Sequence, residues 1–200
     1  MIGGESPRES PMKRAHLKSS ASDYPVLLRE RLGAAAPTDL SALGNLDLLA
    51  LPKTALFCST RCPGDAVLVA HDQAARWCDE GRCVISGFHS PVEKECLRIL
   101  LRGDAPVILC PARGLLQRLP APWAIAVASG RMLILSFCND DERRVTTALS
   151  TRRNELVAAL ADEVCIVHAA VGGHLESLAT RLRAWGIRLD SSQFRPPAHV

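Results

Sequence analysis

The sequence predicts an α/β protein: a doubly wound, mostly parallel sheet flanked by helices on both faces. Three observations carry that expectation. From Thr54 onward, short apolar runs alternate with segments of helix length, at the spacing of strand–helix–strand units. The stretch Cys83 to Leu101, CVISGFHSPVEKECLRILL, spells out one such unit completely. Apolar residues make up 48% of the 200 residues and aromatics only 4%, so there is material for a core, and that core must be aliphatic.

Residues 1–22 are rich in Ser, Pro, Gly and charge and are expected to form a disordered tail. Residues 23–50 carry weak helical patterning, Val26-Leu27-Leu28 with Leu32 and then Leu40 to Leu51, and are expected to be a helical extension packed on the main domain. That domain is expected over 51–190. Strand Thr54–Ser59 leads to a helix from about Asp65 to Glu80, stopped by Gly81. Cys83-Val84-Ile85 is the short apolar run of a strand buried on both faces, and Ser86-Gly87 ends it. In the next helix Ser90 is the N-cap, Pro91 the first helical residue and Glu93 the partner in a capping box. Val92, Cys96, Ile99 and Leu100 form its apolar stripe and Gly103 stops it. Strand Pro106–Cys110 runs into a stretch that reads as irregular because of Pro111, Pro120 and Pro122. Strand Met132–Phe137 is followed by a polar loop and a helix ending near Asp162. Strand Glu163–Ala169, a helix from about Gly173 to Trp185 and a short strand complete the pattern, and 191–200 form a tail.

A formal charge of +3 and a pI near 8.5 are mildly basic and neither demand nor exclude a nucleic-acid partner. Of the eight cysteines, Cys58, Cys83, Cys110, Cys138 and Cys165 lie in or beside strand-like runs and Cys96 lies on a helix stripe. They read as reduced core thiols, and a cytoplasmic location is the expectation that follows. There is no C-x-x-C, and Cys58-x3-Cys62 and Cys78-x4-Cys83 do not pair into a zinc pattern, so neither a metal nor any other cofactor is called for. The N-terminal residues lack the apolar region of a signal peptide, and no apolar run approaches the ~20 residues of a membrane span.

Right-handed crossovers place every strand-to-helix turn on one edge of a parallel sheet. The first turn brings Ser59, Thr60 and Arg61 there, and the second brings Ser86, Gly87, His89 and Ser90. The third brings Arg113 and Gly114; the region after the fourth strand brings Arg143, Arg144, Arg152, Arg153 and Asn154; the fifth brings Gly172 and Gly173. Glycines, hydroxyls and arginines without a matching set of carboxylates are the composition of a phosphate-binding crevice, in which bare backbone N–H groups approach closely and Arg forks supply charge. Against this, Glu93 is accounted for by capping, His168 by the end of a strand, and Trp77 and Trp185 by helix stripes. Nucleophilic chemistry finds little support: there is no G-x-S-x-G, no Walker lysine and no G-x-G-x-x-G after the first strand.

These residues resemble a known family. GNLDLLALPKTALFCSTR, CVISGF and RRNELVAALADEVCIVHAAVGGHLESL are similar to segments of the DNA-processing protein DprA (Smf) family, over about Gly44 to Gly186. That family belongs to the Rossmann-like SLOG group, which also holds the LOG-type nucleoside-monophosphate phosphoribohydrolases. The resemblance implies a Rossmann-like domain that binds single-stranded DNA and assists a recombinase in DNA uptake. It implies binding groups at Ser59, Arg61, Ser86, Gly87, Arg153, Asn154, Gly172 and Gly173. The chain departs from the family at Cys58, where the family has glycine, and at FHSPVEKECL, where it has a glycine-rich run. Over these 200 residues no C-terminal winged helix is expected.

The leading expectation is a non-enzymatic module for single-stranded DNA, with phosphates on Arg61, Arg113, Arg144 and Arg153 and on the turns that hold Ser59, Thr60, Ser86, Gly87 and Ser90. The alternative is a nucleotide sensor or a LOG-like hydrolase, with Glu93 or Glu176 as acid and His89 as proton carrier. A scaffold for a protein partner is the residual reading. Pairing of two copies through exposed helices is a further expectation.

Overall fold

The computed structural model describes residues 14–170 and 172–189. Eight strands form one sheet: β1 (Arg14–Lys18), β2 (Asp39–Gly44), β3 (Lys53–Cys58), β4 (Cys83–Ser86), β5 (Val107–Leu109), β6 (Met132–Ser136), β7 (Glu163–His168) and β8 (Arg188–Leu189). Their order across the sheet is β1-β2-β6-β5-β4-β3-β7-β8. From β6 to β8 all neighbours are parallel, while β1 and β2 pair antiparallel with each other and β2 pairs antiparallel with β6. The expected doubly wound, mostly parallel sheet is present.

Strand side chains alternate between two cores, as the pleat requires. Ile85, Ile108, Leu133 and Leu135 point to one core, shared with α1 (Val26–Leu32), α5 (Thr147–Leu160) and α6 (His174–Ala184). Val84, Val107, Met132 and Ile134 point to the other, shared with α2 (Gly64–Asp79), α3 (Pro91–Leu100) and α4 (Ala121–Ala128). Ala70, Ala74 and Trp77, at helical spacing, bury one stripe of α2. In α3 the predicted capping box is complete, and Val92, Cys96, Leu97 and Leu100 are buried. Ile99 is only partly buried at the side of that stripe.

Three expectations need correction. Residues 14–18 belong to the sheet and not to a disordered tail, since RAHLK alternates with Leu17 buried and Arg14, His16 and Lys18 exposed. So short and charged an edge strand carries a weak signal. The segment 23–50 is not simply a helical extension: α1 is flanked by β1 and β2, and Leu40 and Ala42 join the same core as Leu28. Residues 121–128 are helical and not irregular; Pro120 is the N-cap and Pro122 lies in the first turn, where its missing N–H costs nothing. The calls on residues 1–13 and 191–200 lie outside the described residues.

The connections from β3, β4 and β5 all run through helices on one face, whereas α5 and α6 lie on the other. Adjacent β3 and β7 therefore send their chains to opposite faces, and their carboxyl ends form a topological switch point.

Candidate nucleic-acid interface

At that switch point the first and fifth turns are clasped together. The backbone N–H of Ser59 donates to the His168 carbonyl at 2.9 Å, and the Ala170 N–H donates to Ser59 Oγ at 3.0 Å. Thr60 and Arg61 stand exposed beyond the clasp. Gly172 takes φ +69°, and Gly173 caps the eleven-residue α6 with its own N–H bonded to the Ala170 carbonyl at 3.0 Å.

The second turn is held by buried side chains. Ser86 is fully buried, and its Oγ accepts from the Phe88 N–H at 3.1 Å, which supports Phe88 at φ 45°. Ser90 is 4% exposed and its Oγ accepts from the Glu93 N–H at 3.2 Å. Glu93 is also buried. One of its oxygens accepts from the Cys58 N–H at 2.9 Å, and the other from the His89 and Ser90 N–H groups at 2.7 and 3.1 Å. This carboxylate braces the first turn against the second, which occupies it in a way unsuited to a general acid. The Glu176 side chain lies outside the described residues.

Over the second turn lies Arg153, from the buried side of α5. A Cβ on Gly87 would stand 1.5 Å from Arg153 Nη1, so the glycine is needed for the guanidinium to sit there. Burial lowers the guanidinium's pKa from its usual value, and the Glu93 carboxylate works in the opposite direction. Arg153 Nε donates to Asn154 Oδ1 at 2.8 Å. His89 is also held below the usual imidazole value, first by burial and then by Arg153 and Lys94, which favours its neutral form. α5 itself begins where Thr146 Oγ1 accepts from the Leu149 N–H at 3.2 Å.

The predicted residues divide into separate groups. Gly87, Arg113 and Arg153 line one cleft of about 630 Å³ between α3 and α4. Ser59, Gly172 and Gly173 belong to the neighbouring switch point, with Arg61 exposed beside it. Asn154 lines a smaller groove of about 150 Å³ against α6. Arg143 and Arg144 are exposed in the loop before α5 and line neither, and Arg152 lies over the Phe137 ring at 4.9 Å. The cleft also holds residues that sequence reasoning missed: Lys94, Arg98 and Arg102 from α3 and the turn after it, and Trp123 from α4. The signal for Trp123 was present, because PAPWAIAVASG has prolines where a helix starts and a glycine where it stops. Among the described residues no cluster of three or more His, Cys, Asp or Glu is placed to hold a metal, and no helix is long and apolar enough to cross a membrane.

Comparison with known proteins agrees with the fold. DNA processing protein A (DprA) from Streptococcus pneumoniae superposes with a TM-score of 0.71 at 18% identity, over 90% of this chain and 62% of that one. DNA processing protein A from Helicobacter pylori, a protein with a single-stranded DNA binding mode, superposes with a TM-score of 0.69 at 22% identity, over 90% of this chain and 81% of that one. The chain thus spans less than two thirds of the streptococcal protein. No curated protein sequence matches. The profile of the family described as DNA recombination-mediator protein A matches residues 15–182, and the chain belongs to that family.

Proposed function

We propose that the chain is a DNA-processing module that binds single-stranded DNA through its phosphates, along the carboxyl edge of the parallel sheet. The observation that carries this reading is Arg153, a buried guanidinium seated on a bare glycine at the rim of a cleft with no carboxylate in its lining. Arg113 and Lys94 add charge to the same rim. Arg61 and Arg144, both exposed, supply charge for neighbouring phosphates, while Thr60, Gly172 and Gly173 act by shaping the first and fifth turns. Ser59, Ser86 and Ser90 act by shaping the turns. Membership of a recombination-mediator family supports a recombinase as a further partner.

A filter-binding or anisotropy titration with an oligothymidylate across salt concentrations tests this. Binding is expected to weaken steeply with salt, and Arg61→Ala and Arg113→Ala are each expected to reduce the slope by about 0.7 log unit per log unit of salt. Arg61 is exposed and Arg113 half-buried, so both variants should remain folded. Salt-independent binding, or no binding at low salt, removes the reading.

A further inference from the structure

Two thiols meet across the first turn. Cys58 ends β3, Cys62 immediately precedes Pro63, the N-cap of α2, and only Ser59, Thr60 and Arg61 stand between them. Their side chains are in hydrogen-bond contact, and neither is in a disulfide. Cys58 is 4% exposed and belongs to the core shared with α2 and α3, while Cys62 is half-buried and packs against that core. The Cys58 end of the turn is fixed, because its N–H donates to Glu93 and the Ser59 N–H donates to the His168 carbonyl. The cysteines of the adjoining helices do not compete for this contact. Cys78 lies about 21 Å along α2 from Gly64, at 1.5 Å per residue. Cys96 is fully buried and its thiol donates to the Ala70 carbonyl at 3.6 Å. Phosphate binding makes no use of the pair, and the Cys58-x3-Cys62 spacing suits no zinc site.

We infer that Cys58 and Cys62 are a dithiol site oxidised by peroxides, closing to a reversible disulfide that ties the turn carrying Arg61 to the end of β3. The bond asks two sulfurs already in contact to close to about 2.05 Å. Cys62 is the more accessible sulfur and reacts first, as its thiolate. It attacks a peroxide oxygen: an S–O bond forms, the O–O bond breaks, and the departing hydroxide takes a proton from solvent to leave as water. The Cys58 sulfur then attacks the Cys62 sulfur. The S–S bond forms, the S–O bond breaks, and hydroxide leaves with the Cys58 proton as a second water. Two thiols thus lose two electrons, and one hydrogen peroxide is reduced to two waters. A dithiol reductant reopens the bond by thiol–disulfide exchange and is itself left as a disulfide. The site is a matter of sulfur chemistry and stands apart from the single-stranded DNA reading.

The test treats the reduced, folded full chain with hydrogen peroxide, blocks free thiols with iodoacetamide and digests with trypsin. Cleavage after Lys53, Arg61 and Arg76 separates the two cysteines onto peptides 54–61 and 62–76. Mass spectrometry is expected to find these peptides joined, lighter than their sum by two hydrogens, and separated again by dithiothreitol. Iodoacetamide labelling of Cys62 in the folded protein should fall about tenfold after peroxide and return with dithiothreitol, while labelling of Cys78 stays within about twofold. Cys62→Ser should give no joined peptides and leave Cys58 as a thiol. Cys58→Ala should leave Cys62 as a sulfenic acid that dimedone traps; if that variant fails to fold, the wild-type peptides and Cys62→Ser decide. A Cys62 that ends as sulfinic acid in the wild type, that joins a second chain or that pairs with Cys78 or Cys96 overturns the proposal. So does a Cys62 that peroxide leaves unchanged. None of these outcomes bears on salt-dependent binding of oligothymidylate by the reduced protein, so the two readings fail separately.

Discussion

A carboxylate that accepts three backbone N–H groups fixes the relative position of the turns that supply them. Glu93 does this for the first and second turns of the sheet edge, with Cys58 on one side and His89 and Ser90 on the other. Gln at this position keeps one acceptor oxygen and turns an NH2 toward N–H groups that already donate. Glu93→Gln is therefore expected to destabilise the protein by about 2 kcal/mol, read as a lowered urea midpoint at unchanged slope. Unaltered stability would show that the turns are held by something else. Half of this role was legible beforehand: Ser90 and Glu93 stand at capping-box spacing, and the box formed. The other half, the bond to Cys58, joins residues 35 apart in sequence, and no local pattern announces it. Arg153 was readable as a candidate for the same site, but its seat on Gly87 was not, because that contact exists only once α5 has crossed the sheet.

At the scale of elements, the parallel core from β3 to β7 followed the sequence closely. Each of its strands is built on an apolar run, and α3 carries the expected capping box and first-turn proline, although it ends at Leu100 with Leu101 as a right-handed C-cap, ahead of the glycine expected to stop it. The elements that escaped are those whose stability comes from a partner. β1 has one fully buried side chain, Leu17, and owes its form to pairing with β2. α4 begins with prolines that read as breakers until the helix start is recognised. Missing α4 also hid one wall of the cleft. A direct measurement distinguishes a docked strand from a loose tail: Leu17→Ala is expected to cost about 2–3 kcal/mol in chemical unfolding, as for other buried leucines. A neutral result would mean that residues 14–18 do not pack against Leu28 and Leu40.

At the scale of the whole molecule, the cysteines report how tightly the two cores close on the sheet. Six of the eight are buried, and Cys62 and Cys78 are half-buried. Burial pushes the thiol of Cys83 up to about 11 and those of Cys96 and Cys110 up to about 12; Cys58 and Cys138 are also raised. A thiol raised this way stays protonated at neutral pH, and thiols react as thiolates. Brief iodoacetamide treatment of the native protein near neutral pH is thus expected to modify Cys62 and Cys78 alone, and the remaining six should react after unfolding. Rapid native labelling of Cys96 or Cys110 would contradict the packing of α3 and β5. The clustering of distant turns at one sheet edge was legible from the alternation of strands and helices. Its division into a switch point and a separate cleft was not, since that depends on which face each helix crosses. The seat of Arg153 has one more consequence. A methyl group at position 87 and a guanidinium arriving from position 153 would claim the same space, so in related chains these two sites should change together or not at all.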